Sequence, residues 1–352
     1  MLPVLAPDIL RISSIVVSAG WGNPLVISAL ILGFLLLAAF IWIELHVDDP
    51  MFRLELFKIR LFAAGNTSSF LGSIARGGLQ FMLVIWLQGI WLPLHGYNYD
   101  VTPLWAGIYM IPLLVGFLLM GPLSGWLSDR FGARPFSTLG MLIQALGFFL
   151  LAVIPLNFSY IWFALILFIL GVGQGMFSSP NTSSIMGSVP AEQRGVASGM
   201  RSTFQNSGTI VSIGVFFSLI TSGLAASLPK TLSSGLLNAG VPATVATKIA
   251  HLPPTSALFA AFLGYNPMGT LLPLSVQQAL PEAKRAALLG HEFFPNLISY
   301  PMSLGLHSVF YFSVALCLVA AFASLLRGKA QIVTREPQGE VAQPVSSTVS
   351  NE

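Results

Sequence analysis

Arg76 is the residue with the most chemistry to offer, because it stands inside a long apolar run with no charge near it. The run covers 63–92, and Arg76 lies more than two helical turns past its start. Gln80 follows one turn later, on the same helical face. An ionisable group within a membrane span costs about 2.5–3.5 kcal/mol on insertion scales, which makes it a functional residue by default. The alternative is that Arg76 snorkels to a headgroup, which its depth in the run makes strained. Arg76 and Gln80, with Gln144, Gln174 and Asn206 in later apolar runs, are the expected lining of a polar transport pathway. Each of the amides would equally serve as a satisfied hydrogen bond between helices. His307, near the start of the last apolar run, is a further titratable candidate.

A second constellation has the chemistry of a conformational latch: Gly121-Pro122-Leu123-Ser124-Gly125-Trp126-Leu127-Ser128-Asp129-Arg130-Phe131-Gly132-Ala133-Arg134-Pro135. Gly125 lets two helices approach closely. Asp129 is placed to accept from the amides that open the following helix. Gly132 permits a tight reversal, Pro135 suits a first helical position, and Arg130 and Arg134 anchor the loop. Gly171, Gly173 and Gly175 fit close helix packing and sliding rather than ligand contact.

Other chemistry has no residues to carry it. His46, His95, His251, His291 and His307 have no metal-ligand spacing, and there is no nucleophile elbow or phosphate-binding glycine loop. Neither an enzyme, a metal site, a cofactor nor direct ATP coupling is expected. All 13 acidic residues fall in loops, in the tail or at the ends of apolar runs. A proton-coupled carrier needs a membrane-embedded carboxylate, so such a group must come from outside this chain. Cys317 is the single cysteine, and no intramolecular disulfide can form.

The scaffold for these side chains is set by its solvent. Only 8% of the 352 residues are charged, 55% are hydrophobic, and the mean hydropathy is +0.80. A soluble domain carries about a quarter charged residues. The solvent is therefore the bilayer, and the lipid is the first partner. A net charge of +3 gives no reason to expect nucleic acid, despite a pI of about 9.1.

Apolar runs near the ~20 residues of a membrane-crossing helix predict spans at 25–43, 63–92, 105–127, 136–156, 160–177, 207–226 and 306–326. The fold class is thus all-α integral membrane, with about seven transmembrane helices. Residues 1–24 read as an external amino-terminal segment without a convincing signal peptide, and 44–61 as a charged amphipathic helix along the cytoplasmic interface. Residues 227–305 read as an external excursion, a hairpin or short helices resting on the membrane. Residues 328–352 read as a disordered tail. Arg53, Lys58 and Arg60, Arg130 and Arg134, Arg194 and Arg201, then Arg327 and Lys329 make alternate loops basic. These loops and the carboxyl terminus are expected in the cytoplasm. An amino terminus outside, with nothing in 1–24 to translocate it, suggests that something upstream is missing.

Gly125-x-Leu127-x-Asp129-Arg130-x-Gly132-x-Arg134 resembles the cytoplasmic-loop signature of the major facilitator superfamily in its second-half copy, with Ala133 where the family often has a basic residue. Gly171-Val172-Gly173-Gln174-Gly175 with Pro180, Val189-Pro190, Arg194-Gly195-Val196-Ala197-Ser198-Gly199 with Arg201, Ala75-Arg76-Gly77-Gly78 and Trp21-Gly22 resemble its fourteen-span drug:proton antiporter branch. The resemblance covers 20–327. It implies a half-bundle: 25–43 as an extra linker helix, 62–327 as the carboxyl-terminal six-helix bundle, and an absent amino-terminal bundle. It further implies proton-coupled efflux of lipophilic or cationic drugs from the cytoplasmic membrane by alternating access. The alternatives are a carrier of one metabolite, a non-transporting remnant, or a half-transporter subunit that pairs with a separate amino-terminal half.

Overall fold

Helices are the only extended regular structure among the described residues, 24–47, 50, 52–251 and 253–327 of the computed structural model. Backbone in hydrocarbon has no water to bond, so each segment must satisfy its own polar groups. The expected external segment at the amino terminus, apart from residue 24, and the tail 328–352 lie outside the described residues, as do Asp48, Asp49 and Met51.

The chain runs through α1 (Pro24–Glu44), α2 (Arg60–Arg76), α3 (Leu79–Trp86), α4 (Thr102–Tyr109), α5 (Ile111–Phe131), α6 (Ala133–Val153), α7 (Tyr160–Gly187) and α8 (Arg194–Asn238). Short helices α9 (Ala243–Ala250), α10 (Pro254–Leu263), α11 (Met268–Leu271), α12 (Leu274–Ala279) and α13 (Glu282–Leu289) lead to α14 (Phe293–Leu325). Seven helical stretches among the described residues are long and apolar enough to cross a bilayer. Each matches one of the seven expected spans, although the fourth stops at Val153 where the expectation ran to residue 156.

α7 is the spine, packed on α5 along one side and on α6 along the other. α14 packs on α6, α8 and α2, and α2 closes the ring against α8 and α7. Glycines set the spacing of the spine. A Cβ on Gly175 would lie 2.8 Å from the Gly121 nitrogen, and one on Gly173 would lie 2.8 Å from the Gly140 carbonyl oxygen. α1 takes no part: none of its span is buried, and Leu30, Phe34, Leu35 and Leu37 are all exposed. Such a helix needs lipid or further protein around it.

Three stretches differ from expectation. The expected interfacial helix over 44–61 is, where described, one 3-10 turn, Leu54–Lys58. Its Leu56 tucks inward against Phe62, Ile185, Val189 and Met200 instead of facing lipid. Residues 194–206, expected as loop, already belong to α8, so Arg201 is a helical residue. At the other end α8 runs on to Asn238, and α14 begins at Phe293 rather than near residue 306.

The 45 residues of α8 reach about 67 Å at 1.5 Å per residue, twice the hydrocarbon thickness of about 30 Å. It persists because one stripe stays buried throughout: Gly208, Ser212, Phe216, Ile220, Leu224, Leu228, Leu232 and Leu236. A four-residue repeat drifts about 40° per step round a 3.6-residue helix. The stripe therefore winds and meets α14 at a crossing, where a Cβ on Gly223 would lie 2.6 Å from the Gly305 Cα.

Among its described residues the stretch 239–292 holds no helix long enough to cross the membrane; α10, an apolar one, has 10 residues. It is pinned to the bundle at a π turn, Leu87–Trp91, that continues α3. The Gln88 amide donates to the Phe262 carbonyl (3.0 Å), and Gly89 leaves room for Ala261. The Tyr99 hydroxyl donates to the His291 carbonyl (2.8 Å).

Candidate functional site

The membrane-spanning segment that carries Arg76 is broken beside it. α2 ends at Arg76, α3 starts at Leu79, and Gly77 and Gly78 form the join. The Gly78 amide donates to Ser212 Oγ of α8 (2.9 Å) rather than along its own helix. A Cβ on Gly77 would lie 2.8 Å from the Thr209 Cα, so α8 packs closely against the break. Broken helices in bilayers are tolerated where neighbours or a cavity satisfy the freed backbone.

Arg76 is half-buried, with its guanidinium 5.8 Å from the centre of the Phe177 ring of α7. Met141 of α6 and Arg76 Nη1 both border the space above Gly72. Nη1 is enclosed and has no hydrogen-bond partner. Arg201 is half-buried, and its Nε is likewise enclosed and unpartnered.

The other pathway candidates are spread over several faces. Gln144 is 1% exposed and packs over Gly173, with Nε2 unpartnered. Gln174 is half-buried on α7, while Gln80 and Asn206 are exposed on α3 and α8. No hydrogen bond among the described residues joins any two of the five. His307 is half-buried within α14, well past its start.

The α5–α6 connection is a single residue, Gly132, at φ 86° and ψ 152°. That region favours glycine, which is why two helices of 21 residues can reverse there. A Cβ on Gly125 would lie 2.7 Å from Ser179 Oγ, placing that glycine at the α5–α7 contact. Asp129 is exposed and makes no hydrogen bond or ion pair among the described residues, so it does not cap α6. The carboxylate sits in the last turn of α5, before the reversal, and points to solvent. Arg130 lies over the Trp126 ring at 4.2 Å. Arg134 is exposed in the first turn of α6, and Pro135 is its third residue rather than its first.

Two features went unread in the sequence. Between α5 and α7 lies an open groove of about 410 Å³, lined by Phe117, Gly121, Ser178, Ser179, Thr182 and Ser183. Its signal was the polar run Ser178-Ser179-Pro180-Asn181-Thr182-Ser183-Ser184 inside an apolar helix. The second is a buried staple at the basic end of the bundle. Arg327, 3% exposed, donates to Asn181 Oδ1 of α7 and, at 3.4 Å, to Ser137 Oγ of α6. Asn181 in turn donates to Ser69 Oγ of α2 (2.6 Å). Burial pushes the Arg327 guanidinium down to about 10, which leaves it charged near neutrality. No group of His, Cys, Asp and Glu side chains suited to a metal ion occurs among the described residues.

Comparison with known proteins bears directly on this geometry. The family model described as Major Facilitator Superfamily matches residues 10–213, more than half of the chain. An uncharacterized MFS-type transporter of Bacillus subtilis, YhcA, is 30% identical over 194 residues, 55% of this chain and 35% of its own length. The methyl viologen resistance protein SmvA of Salmonella typhimurium is 30% identical over 200 residues, 56% of this chain and 39% of its own. The multidrug transporter protein MdtP of Bacillus subtilis is 26% identical over 313 residues, 87% of this chain and 53% of its own. The chain thus spans about a third to a half of the length of these relatives. With its half-bundle of apolar helices and the glycine-hinged α5–α6 loop, the chain belongs to the Major Facilitator Superfamily.

Proposed function

We propose that this chain is the carboxyl-terminal part of a fourteen-span drug:proton antiporter of the cytoplasmic membrane, exporting lipophilic or cationic compounds by alternating access. The observation that carries the reading is the α5–α7 groove, whose volume falls in the range of small-molecule sites, roughly 300–1,000 Å³. Hydroxyls beside an aromatic ring, without a fixed charge, suit amphipathic compounds of varied shape. Relatives named for multidrug and methyl viologen resistance support the same class. In this reading α1 is the second of two linker helices, the loop ends and carboxyl terminus are cytoplasmic, and the six later spans rock against an amino-terminal bundle. That bundle, from preceding sequence or from a separate subunit, supplies the carboxylate that carries the proton. Arg76, Gln80, Gln144, Gln174 and Asn206 are its polar counterparts in this half.

The groove is tested by filling it. A Cβ on Gly121 meets nothing within 4 Å and Gly121 lines the groove, so Gly121→Phe places a ring there. In the native-length protein it is expected to reduce ethidium efflux from loaded cells at least tenfold, with the membrane level unchanged. Wild-type efflux would remove the groove from the pathway. The latch gives a second test. Asp129→Asn removes an exposed charge that makes no hydrogen bond or ion pair among the described residues, so its effect is expected on exchange between conformations. Turnover of a transported dye is expected to fall several-fold with its apparent affinity kept; unchanged turnover would refute the latch.

A further inference from the structure

At the end of the bundle away from Arg194, a second and smaller cavity of about 130 Å³ lies under the stretch 239–292. Its floor is apolar and buried, made where the far part of α8 meets α9, α10, α11 and the start of α14: Leu228, Leu232, Ile249, Ala257, Met268 and Phe294. Ser256, Tyr265 and Thr270 also line it and are exposed, so hydroxyls stand at its mouth. None of the described residues that line it carries a charge.

Hydrogen bonds to the neighbouring chain hold the α11 wall in place. Asn266 Nδ2 donates to the Leu288 (3.0 Å) and Gly290 (2.8 Å) carbonyls, and Oδ1 accepts from the Met268 amide (3.0 Å). Gln277 Nε2 donates to the Gly269 (3.1 Å) and Leu272 (2.8 Å) carbonyls. The cavity is therefore preformed, and an occupant has little to reorganise. Water on its floor finds no side-chain partner, so displacing it with an apolar group is favourable. An ion would lose hydration there without a counter-charge. Size narrows the choice further: an engineered apolar cavity of about 150 Å³ takes benzene, so 130 Å³ suits one ring. From Arg194 to Leu228, α8 rises about 51 Å, against about 30 Å of hydrocarbon. The cavity thus lies beyond the lipid tails and opens to dissolved molecules.

We propose that this cavity binds a small neutral molecule built on one ring, with a hydroxyl or similar group left at the Ser256, Tyr265 and Thr270 mouth. The site is separate from the α5–α7 groove and does not depend on the transport reading. Its occupant fastens α11 to α8 and α14.

The probes are 4-fluorophenol, 4-fluorobenzoate and 6-fluoro-2-naphthol, titrated into the native-length protein in lipid nanodiscs and followed by fluorine NMR against empty nanodiscs. 4-Fluorophenol is expected to bind saturably and at least tenfold tighter than either other probe. Ala257→Phe adds a ring to the lining and should abolish that binding, whereas Gly121→Phe in the groove should leave it unchanged. Leu232→Ala enlarges the cavity and should turn the preference toward the naphthol, which keeps the test open if Ala257→Phe does not fold. A signal that rises without saturating, as in empty nanodiscs, would mean partition into lipid alone and overturn the site. Saturable binding that neither Ala257→Phe nor Leu232→Ala alters would overturn it too. A wild-type preference for the benzoate or the naphthol would do the same.

Discussion

Gly171→Leu is expected to prevent the bundle from assembling. An ideal Cβ at Gly171 would stand 2.0 Å from the Leu113 carbonyl oxygen and 2.9 Å from the Phe117 nitrogen. Both are backbone atoms of α5, so no rotamer change relieves the clash, and the two helices must separate along their longest contact. Overpacking a core side chain costs about 1–3 kcal/mol; a backbone clash at the spine of six helices lies above that range. The measurement is the melting transition and size-exclusion profile of detergent-purified protein, both of which should be lost. Gly187→Ala is the control, since a Cβ there meets nothing within 4 Å. If Gly171→Leu melted like the wild type, α5 and α7 could not be packed as described.

The second large effect belongs to Arg327, which stands just past α14 yet is almost fully buried. Arg327→Ala strands Asn181 Oδ1 and Ser137 Oγ inside the protein and unties α14 from α6 and α7. Hydrogen bonds to a charged group contribute about 1.5–3 kcal/mol each. The 3.4 Å bond to Ser137 is long, so the loss is set mainly by the Asn181 bond and should be about 2–4 kcal/mol. A drop of several degrees in melting temperature is expected for the alanine variant. Arg327→Lys should recover only part of it, because an ammonium cannot span both partners as the guanidinium fork does. Equal stability of wild type and Arg327→Ala would mean that the staple contributes nothing.

The spans were legible because their cause is local. A run of about 20 apolar residues has one solution in a bilayer, and Arg76, Asp129 and Gly132 stand out against such a background by residue type alone. What failed was local for the opposite reason. Residues 194–206 and 227–238 carry Ser, Thr, Gly and Lys, which hide the helix from any hydropathy window. Residues 227–238 stay helical because the buried stripe of α8 continues through Leu228, Leu232 and Leu236, and 194–206 because Ala197 and Met200 pack with Leu56 and Phe62. Asp129 was expected to cap α6 on chain proximity, and the reversal at Gly132 leaves it facing solvent.

The site divides in the same way. The sequence by itself determined the solvent, the seven long apolar helices and the arginine at 76 within an apolar run, since each depends on composition over a few turns. Tertiary structure alone decided that Gly77 and Gly78 meet α8 at Thr209 and Ser212, that Arg327 joins α6 and α7, and that the hydroxyls of α7 line a groove with Gly121. These side chains come from helices up to 190 residues apart, as with Arg327 and Ser137. Pairings of that kind are fixed by which helix faces the bundle brings together, and no spacing along one helix encodes them.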